Sequence, residues 1–330
     1  MPRDANFDLD QSILEVSRGR LPLHARERLQ EVAGPQRQLF TSDLSVSEFL
    51  LVQDAGCKPI AQVMGCSIYH IGKIPDYKGA TGVIDTISDG HRQARALAIS
   101  RLAQEAELVA ADAVVGVRLD ERLITTGARG KGGDDGDEII EFTVIGTAVS
   151  ASWLRRANRK AVLTDLSGQD VWTLYQEGFQ PTGLLFDFCR YHVWHVLKGW
   201  SSSVIDAAGD AVDQARIIVT QNVQQQARQL GAEFVVGNDL KIRAKEVPCG
   251  FEGCELNDLD VDVSWFATGI ARLPGGPQKR PHDIPPLILG MNRLGRAKAD
   301  DLLDGDDDSR EVEKRAEEME KAAGGEGGGE

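Results

Sequence analysis

The chain contains itself twice. Ser42-Asp43-Leu44-Ser45, followed by Gly56, Pro59, Tyr69 and His70, returns as Thr164-Asp165-Leu166-Ser167, followed by Gly178, Pro181, Tyr191 and His192. The correspondence runs on through Val83-Ile84-Asp85 against Val204-Ile205-Asp206, and Ala111-Asp112-Ala113-Val114-Val115-Gly116 against Ala232-Glu233-Phe234-Val235-Val236-Gly237. It closes on Gly146-Thr147-Ala148 against Gly269-Ile270-Ala271. A unit of about 110 residues is far longer than a solenoid repeat and long enough to bury a core of its own. The chain therefore reads as two homologous domains, residues 41–152 and 163–273, joined by a linker at 153–162. An N-terminal helical extension (1–40) precedes them, and a Gly/Pro-rich segment (274–297) and an acidic Gly-rich tail (298–330) follow.

Charge narrows the partners. The net charge is -14, but residues 298–330 hold thirteen acids against five bases, so the rest of the chain is only mildly acidic. No lysine-arginine stripe gathers on any predicted element, which argues against a nucleic-acid backbone as partner. Eighteen apolar residues never run together and the polar N-terminus leads into no apolar core of a signal peptide, so we expect no membrane span and a cytoplasmic protein. Five cysteines, with Cys57, Cys66 and Cys189 in apolar stretches, imply no disulfide framework.

Each repeat predicts an α+β unit: strand, turn, strand, long loop, helix, strand, variable loop, strand. The first strand pair is expected at Glu48–Gln53 and Ile60–Ile71, with Gly56 and Pro59 in the turn, and again at Val171–Gln176 and Thr182–Val196. Val212, Ala215, Val219, Val223, Gln226 and Leu230 step by three or four, the stripe of a helix packed on a sheet. Its counterpart spans roughly His91–Ala110, with Ala94, Ala98, Leu102 and Val109 as the stripe. Ala113–Leu119 reads as a buried strand and Ile139–Val149 as its hairpin partner. Residues 8–33 carry a weaker helical pattern stopped by Gly34-Pro35. The last thirty or so residues are expected to be disordered.

The segment from Leu97 through Val115-Gly116-Val117-Arg118-Leu119-Asp120 to Gly146-Thr147-Ala148-Val149 resembles the YbjQ family, whose members carry a heavy-metal-binding label. The second repeat keeps Val235-Val236-Gly237 and is a divergent copy. The resemblance implies a small antiparallel sheet wrapped against one helix, similar to a dodecin subunit, and assembly of subunits into rings, typically pentameric. Fusion of two copies would give a double-layered ring or a pseudo-symmetric one. Gly116 and Gly237 suit a place where backbones approach closely or a strand bends.

A metal site needs about four Cys, His or carboxylate donors. Cys189, His192 and His195 fall within seven residues, but on a strand Cys189 and His195 face one side and His192 the other. Cys249 and Cys254, separated by glycines in a loop, are the second candidate for a divalent transition metal such as zinc. The Tyr-His pair, Tyr69-His70 and Tyr191-His192, recurs in both copies and reads as a structural signature, the histidine hydrogen-bonded across a strand or subunit boundary. No nucleophile elbow, P-loop, dinucleotide fingerprint or H-E-x-x-H is present, so an enzyme is not expected. The leading expectation is a ring-forming binding or scaffold protein whose ligand is unidentified. The alternative is a metal-sequestering or metal-responsive protein, and the least favoured class is an enzyme with an intersubunit site. A protein partner could dock on residues 286–291 or on the acidic tail.

Overall fold

The computed structural model describes residues 9–33, 42–72, 81–126, 137–154, 160–196, 202–248 and 256–275. The loop holding Cys249 and Cys254, the apolar stretch 286–291 and the acidic tail lie outside the described residues.

The chain folds as α+β. The first repeat contributes α3 (Val46–Asp54), β1 (Lys58–Gly72), β2 (Gly82–Val83), α4 (Asp85–Leu108), β3 (Ala113–Thr126) and β4 (Asp137–Ser150). The second gives β5 (Val162–Leu163), α5 (Gly168–Gln176), β6 (Phe179–Val196), α6 (Ser202–Gln229), β7 (Phe234–Pro248) and β8 (Asn257–Arg272). Ahead of them, α1 (Leu9–Ser17) and α2 (Leu23–Ala33) bring Leu21 and Leu29 onto the core beneath α4.

Helices α3 and α5 stand where strands are expected at Glu48–Gln53 and Val171–Gln176. The apolar run Phe49-Leu50-Leu51-Val52 has no strict period, and the deciding signal lies just before it. Ser45 accepts from the Glu48 backbone while Glu48 reaches back to the Ser45 backbone, and Ser167 with Asp170 does the same. These reciprocal capping boxes satisfy the first free N–H groups of a helix, which a strand has no use for.

The two sheets have orders β1-β4-β3-β5 and β2-β6-β8-β7. Each repeat supplies three long antiparallel strands and lends a two-residue strand to the other. β5 lies parallel to Ala113-Val114 of β3, and β2 lies antiparallel to Tyr191-His192 of β6. On its own sheet α4 sits close over β1: a Cβ at Gly65 would fall 2.1 Å from the Ala98 carbonyl oxygen. Its far side meets β6, so the long helix is held between the two sheets. The expected stripe of Ala94, Ala98, Leu102 and Val109 is buried. On α6, Ala215, Val219 and Val223 are buried against the second sheet, whereas Leu230 at the helix end is exposed.

Gly116 and Gly237 occupy equivalent bulges but are needed for different reasons. Gly116 has φ +64, the left-handed region that costs other residues strain. Gly237 instead lies where a Cβ would come 2.6 Å from that of Ala267. Among the described residues no helix is long and apolar enough to cross a membrane.

Candidate functional site

The chemistry of this chain collects where α4 of the first repeat meets β6 of the second. His91 stacks on Phe188 with ring centroids 3.7 Å apart and planes 4° from parallel, and meets Phe142 edge-on at 6.0 Å. Arg95, 1% exposed, places its guanidinium 5.0 Å from the Phe142 ring and 5.4 Å from Phe188. Arg95 donates to Glu121 Oε2 at 2.7 Å, and His91 Nδ1 lies 3.4 Å from Glu121 Oε1. A guanidinium between two ring faces and a carboxylate is a favourable way to bury a charge, because the rings present negative faces and the carboxylate neutralises it.

Burial by itself would raise the Glu121 carboxyl, but the adjacent His91 imidazole and the charge and hydrogen bond of Arg95 outweigh it and hold the acid at about 2. Burial pushes the His91 imidazole downward from its ordinary value, against the pull of Glu121. Beside this cluster, Arg190 grips Asp262 with two hydrogen bonds of 2.6 and 2.7 Å. The Arg190 backbone donates to Ser88 Oγ on α4. Asp187 accepts from Arg92 of α4 at 2.7 Å and from Asn222 of α6 at 2.8 Å.

The Tyr-His signature falls on the sheet edge that takes up a strand. The Tyr191 and His192 backbones pair with β2, and His192 Nδ1 donates to Asp260 Oδ1, its direct cross-strand neighbour on β8, at 2.8 Å. His192 Nε2 stands 3.7 Å from Asp258 Oδ2. In the first repeat Tyr69 donates to Gln93 at 2.9 Å and His70 is exposed on β1.

Cys189 and His192 are not brought together. Cys189 is buried in the apolar core against α6, where burial pushes its thiol up to about 12, while His192 faces the aspartates on the other side of the strand. Nothing is described of the His195 side chain, Cys249 or Cys254. Among the described residues no three His, Cys, Asp or Glu side chains are placed to hold a metal ion, so the described donors do not fit one. Cys57 is likewise buried and its thiol pushed up to about 12.

Sequence reasoning missed His91, Arg95, Glu121 and Arg190, since charges on a helix or strand ordinarily mark its wet face. One signal was present: Arg95 aligns with Arg216 across the repeats.

The family model described as "Putative heavy-metal-binding", the YbjQ family, matches residues 76–152, which contain α4, β3 and β4. An encapsulin nanocompartment protein of Mycobacterium tuberculosis is 33% identical over 225 residues, covering 64% of this chain and 80% of that protein. The chain belongs to the YbjQ-like family. No solved structure matches it. Seen as a YbjQ-like protein, the chain has its matched segment in the first repeat, and the buried cluster joins that segment to the second.

Proposed function

We propose that this chain is a self-assembling structural protein, a ring- or shell-forming scaffold built from two YbjQ-like units, the second divergent. The observation that carries this reading is the kinship with a mycobacterial protein named for an encapsulin nanocompartment, four-fifths of whose length is matched. The residue chemistry supports it, because the buried ions are paired with one another, Arg95 with Glu121 and Arg190 with Asp262 within their repeats and Arg92 with Asp187 across the junction. A catalytic site would instead converge polar groups on a space for substrate. The family's description supports a second reading, metal binding, for which Cys249, Cys254 and His195 remain the proposed donors.

Native mass spectrometry of the untagged full chain, with and without a chelator, tests both. The expected result is a discrete multi-chain species. A lone chain at tens of micromolar would overturn the scaffold reading, and stoichiometric metal lost on chelation would establish the second reading.

A further inference from the structure

The repeats do not merely resemble each other; they are joined by a surface of which each presents the missing half at its opposite end. Counting 121 or 122 residues forward from the first repeat gives each residue's counterpart, and contacts verify the count. The Met64 N–H donates to Glu105 at 2.8 Å, and its counterpart Phe186 donates to Gln226, the counterpart of Glu105, at 3.2 Å.

Just before α4, Ile84 is 3% exposed because β6 covers it, whereas its counterpart on α6, Ile205, is 56% exposed. On β6, Arg190 is 6% exposed beneath α4, whereas its counterpart on β1, Ile68, is 70% exposed and Met64, four residues away on the same face, is also exposed. The sheet edges agree. β6 is covered by β2 and β3 by β5, while among the described residues β1 and β7 are the long strands left at a sheet edge. Phe234, which opens β7, is exposed, and its counterpart Ala113 is fully buried. Apolar side chains in water cost free energy in proportion to their area; Ile205, Ile68 and Phe234 stand where the other repeat buries its residue, and Met64 stands where it half-buries Phe186.

We infer that the outer face of α6 in one chain packs on the outer face of β1 in a second copy of the same chain. It repeats the α4–β6 junction between molecules instead of within one. The surface is heterologous, one end meeting the other, so it propagates from chain to chain until a rotation closes it. The occupant is a second copy because the chain already carries, between its own repeats, the complementary surface in its joined form. This inference rests on the self-assembly reading and names the surface through which it acts.

In the joined form His91 stacks on Phe188; their counterparts are Val212 and Cys66. The test is Val212→Cys in full-length protein carrying Cys249→Ser and Cys254→Ser, treated with copper phenanthroline or a short bismaleimide. The expected product is a ladder of covalently linked chains that vanishes when Cys66→Ser is added. Assembled protein by native mass spectrometry without that ladder overturns the surface and leaves self-assembly standing; a protein that never assembles overturns both.

A second pair of variants guards against a poorly placed crosslink. Ile68→Glu and Ile205→Glu should each raise the dissociation constant on the order of 30-fold or more with unchanged melting of the single chain. Ile217→Glu, exposed on α6 like its counterpart Ala96, should change neither. Unaltered assembly of Ile68→Glu overturns the inference.

Discussion

β1 and β6 hold the same place in their repeats, each edged by the Tyr-His pair, yet their outer faces have exchanged characters. β6 buries a guanidinium at Arg190 where β1 exposes the isoleucine Ile68. It buries the aromatic ring of Phe188 where β1 exposes the thiol of Cys66. Partnership decides burial more than polarity does: Arg190 is under cover because Asp262 and the backbone contact to Ser88 await it there, and Ile68 is in water because among the described residues no element covers it. A charged residue enters a core when its charge is paired there.

A second contrast lies at the starts of α3 and α5. Asp43 is paired with Arg118, whereas its counterpart Asp165 stands near Asp239, the counterpart of Arg118. The same backbone holds an ion pair in one repeat and two like charges in the other. Burial foremost, with Asp239 and Asp170 adding repulsion, pushes the Asp165 carboxyl up to about 6.

The contrast on the strands breaks most sharply at Phe188. Phe188→Ala removes the ring that covers His91 and Arg95 and should cost about 3–5 kcal/mol in urea unfolding of the single chain. Cys66→Ala, at the equivalent place, should stay within about 0.5 kcal/mol. Equal losses would mean that the two faces are alike in solution.

Glu121 sharpens the difference through pH. Its acid is held at about 2, below the ordinary 4.5, so its contribution is fully present above pH 4.5 and is lost as pH falls through 2. Glu121→Gln should cost about 2 kcal/mol at pH 7, a difference that shrinks steadily below pH 4.5. A cost that does not change with pH would show packing, not charge, at work there.

The smallest effect has the opposite sign. Asp165 is raised from 3.8 to about 6, so its ionisation opposes folding fully above pH 6, and this penalty disappears below 3.8. Asp165→Asn should stabilise the chain by about 1 kcal/mol at pH 7 and by nothing near pH 3.5. Destabilisation at pH 7 would show that the Thr268 hydroxyl requires a carboxylate, since it donates to Asp165.

Much of the fold was legible because repetition and periodicity are properties of many residues at once. The repeat placed matching strands, and the stripes on α4 and α6 set which faces they bury. What escaped depended on few residues. β2 and β5 are two residues each, too short for any period, and their pairing is dictated by a neighbour outside the repeat. α3 and α5 were obscured because short apolar stretches in nine-residue elements are ambiguous, although Ser45 with Glu48 and Ser167 with Asp170 carried the answer. The ion cluster was hidden for another reason: Glu121 and Phe188 approach Arg95 from 26 and 93 positions away along the chain, and only the fold brings them there.

The mutual loan of β2 and β5 has an arithmetic consequence. It ties the repeats into inseparable couples, each with one distinct head and one distinct tail. Any closed circle of whole chains joined head to tail therefore counts its repeats in twos, and heads alternate strictly with tails around it. A circle of five repeats is forbidden; five chains make ten.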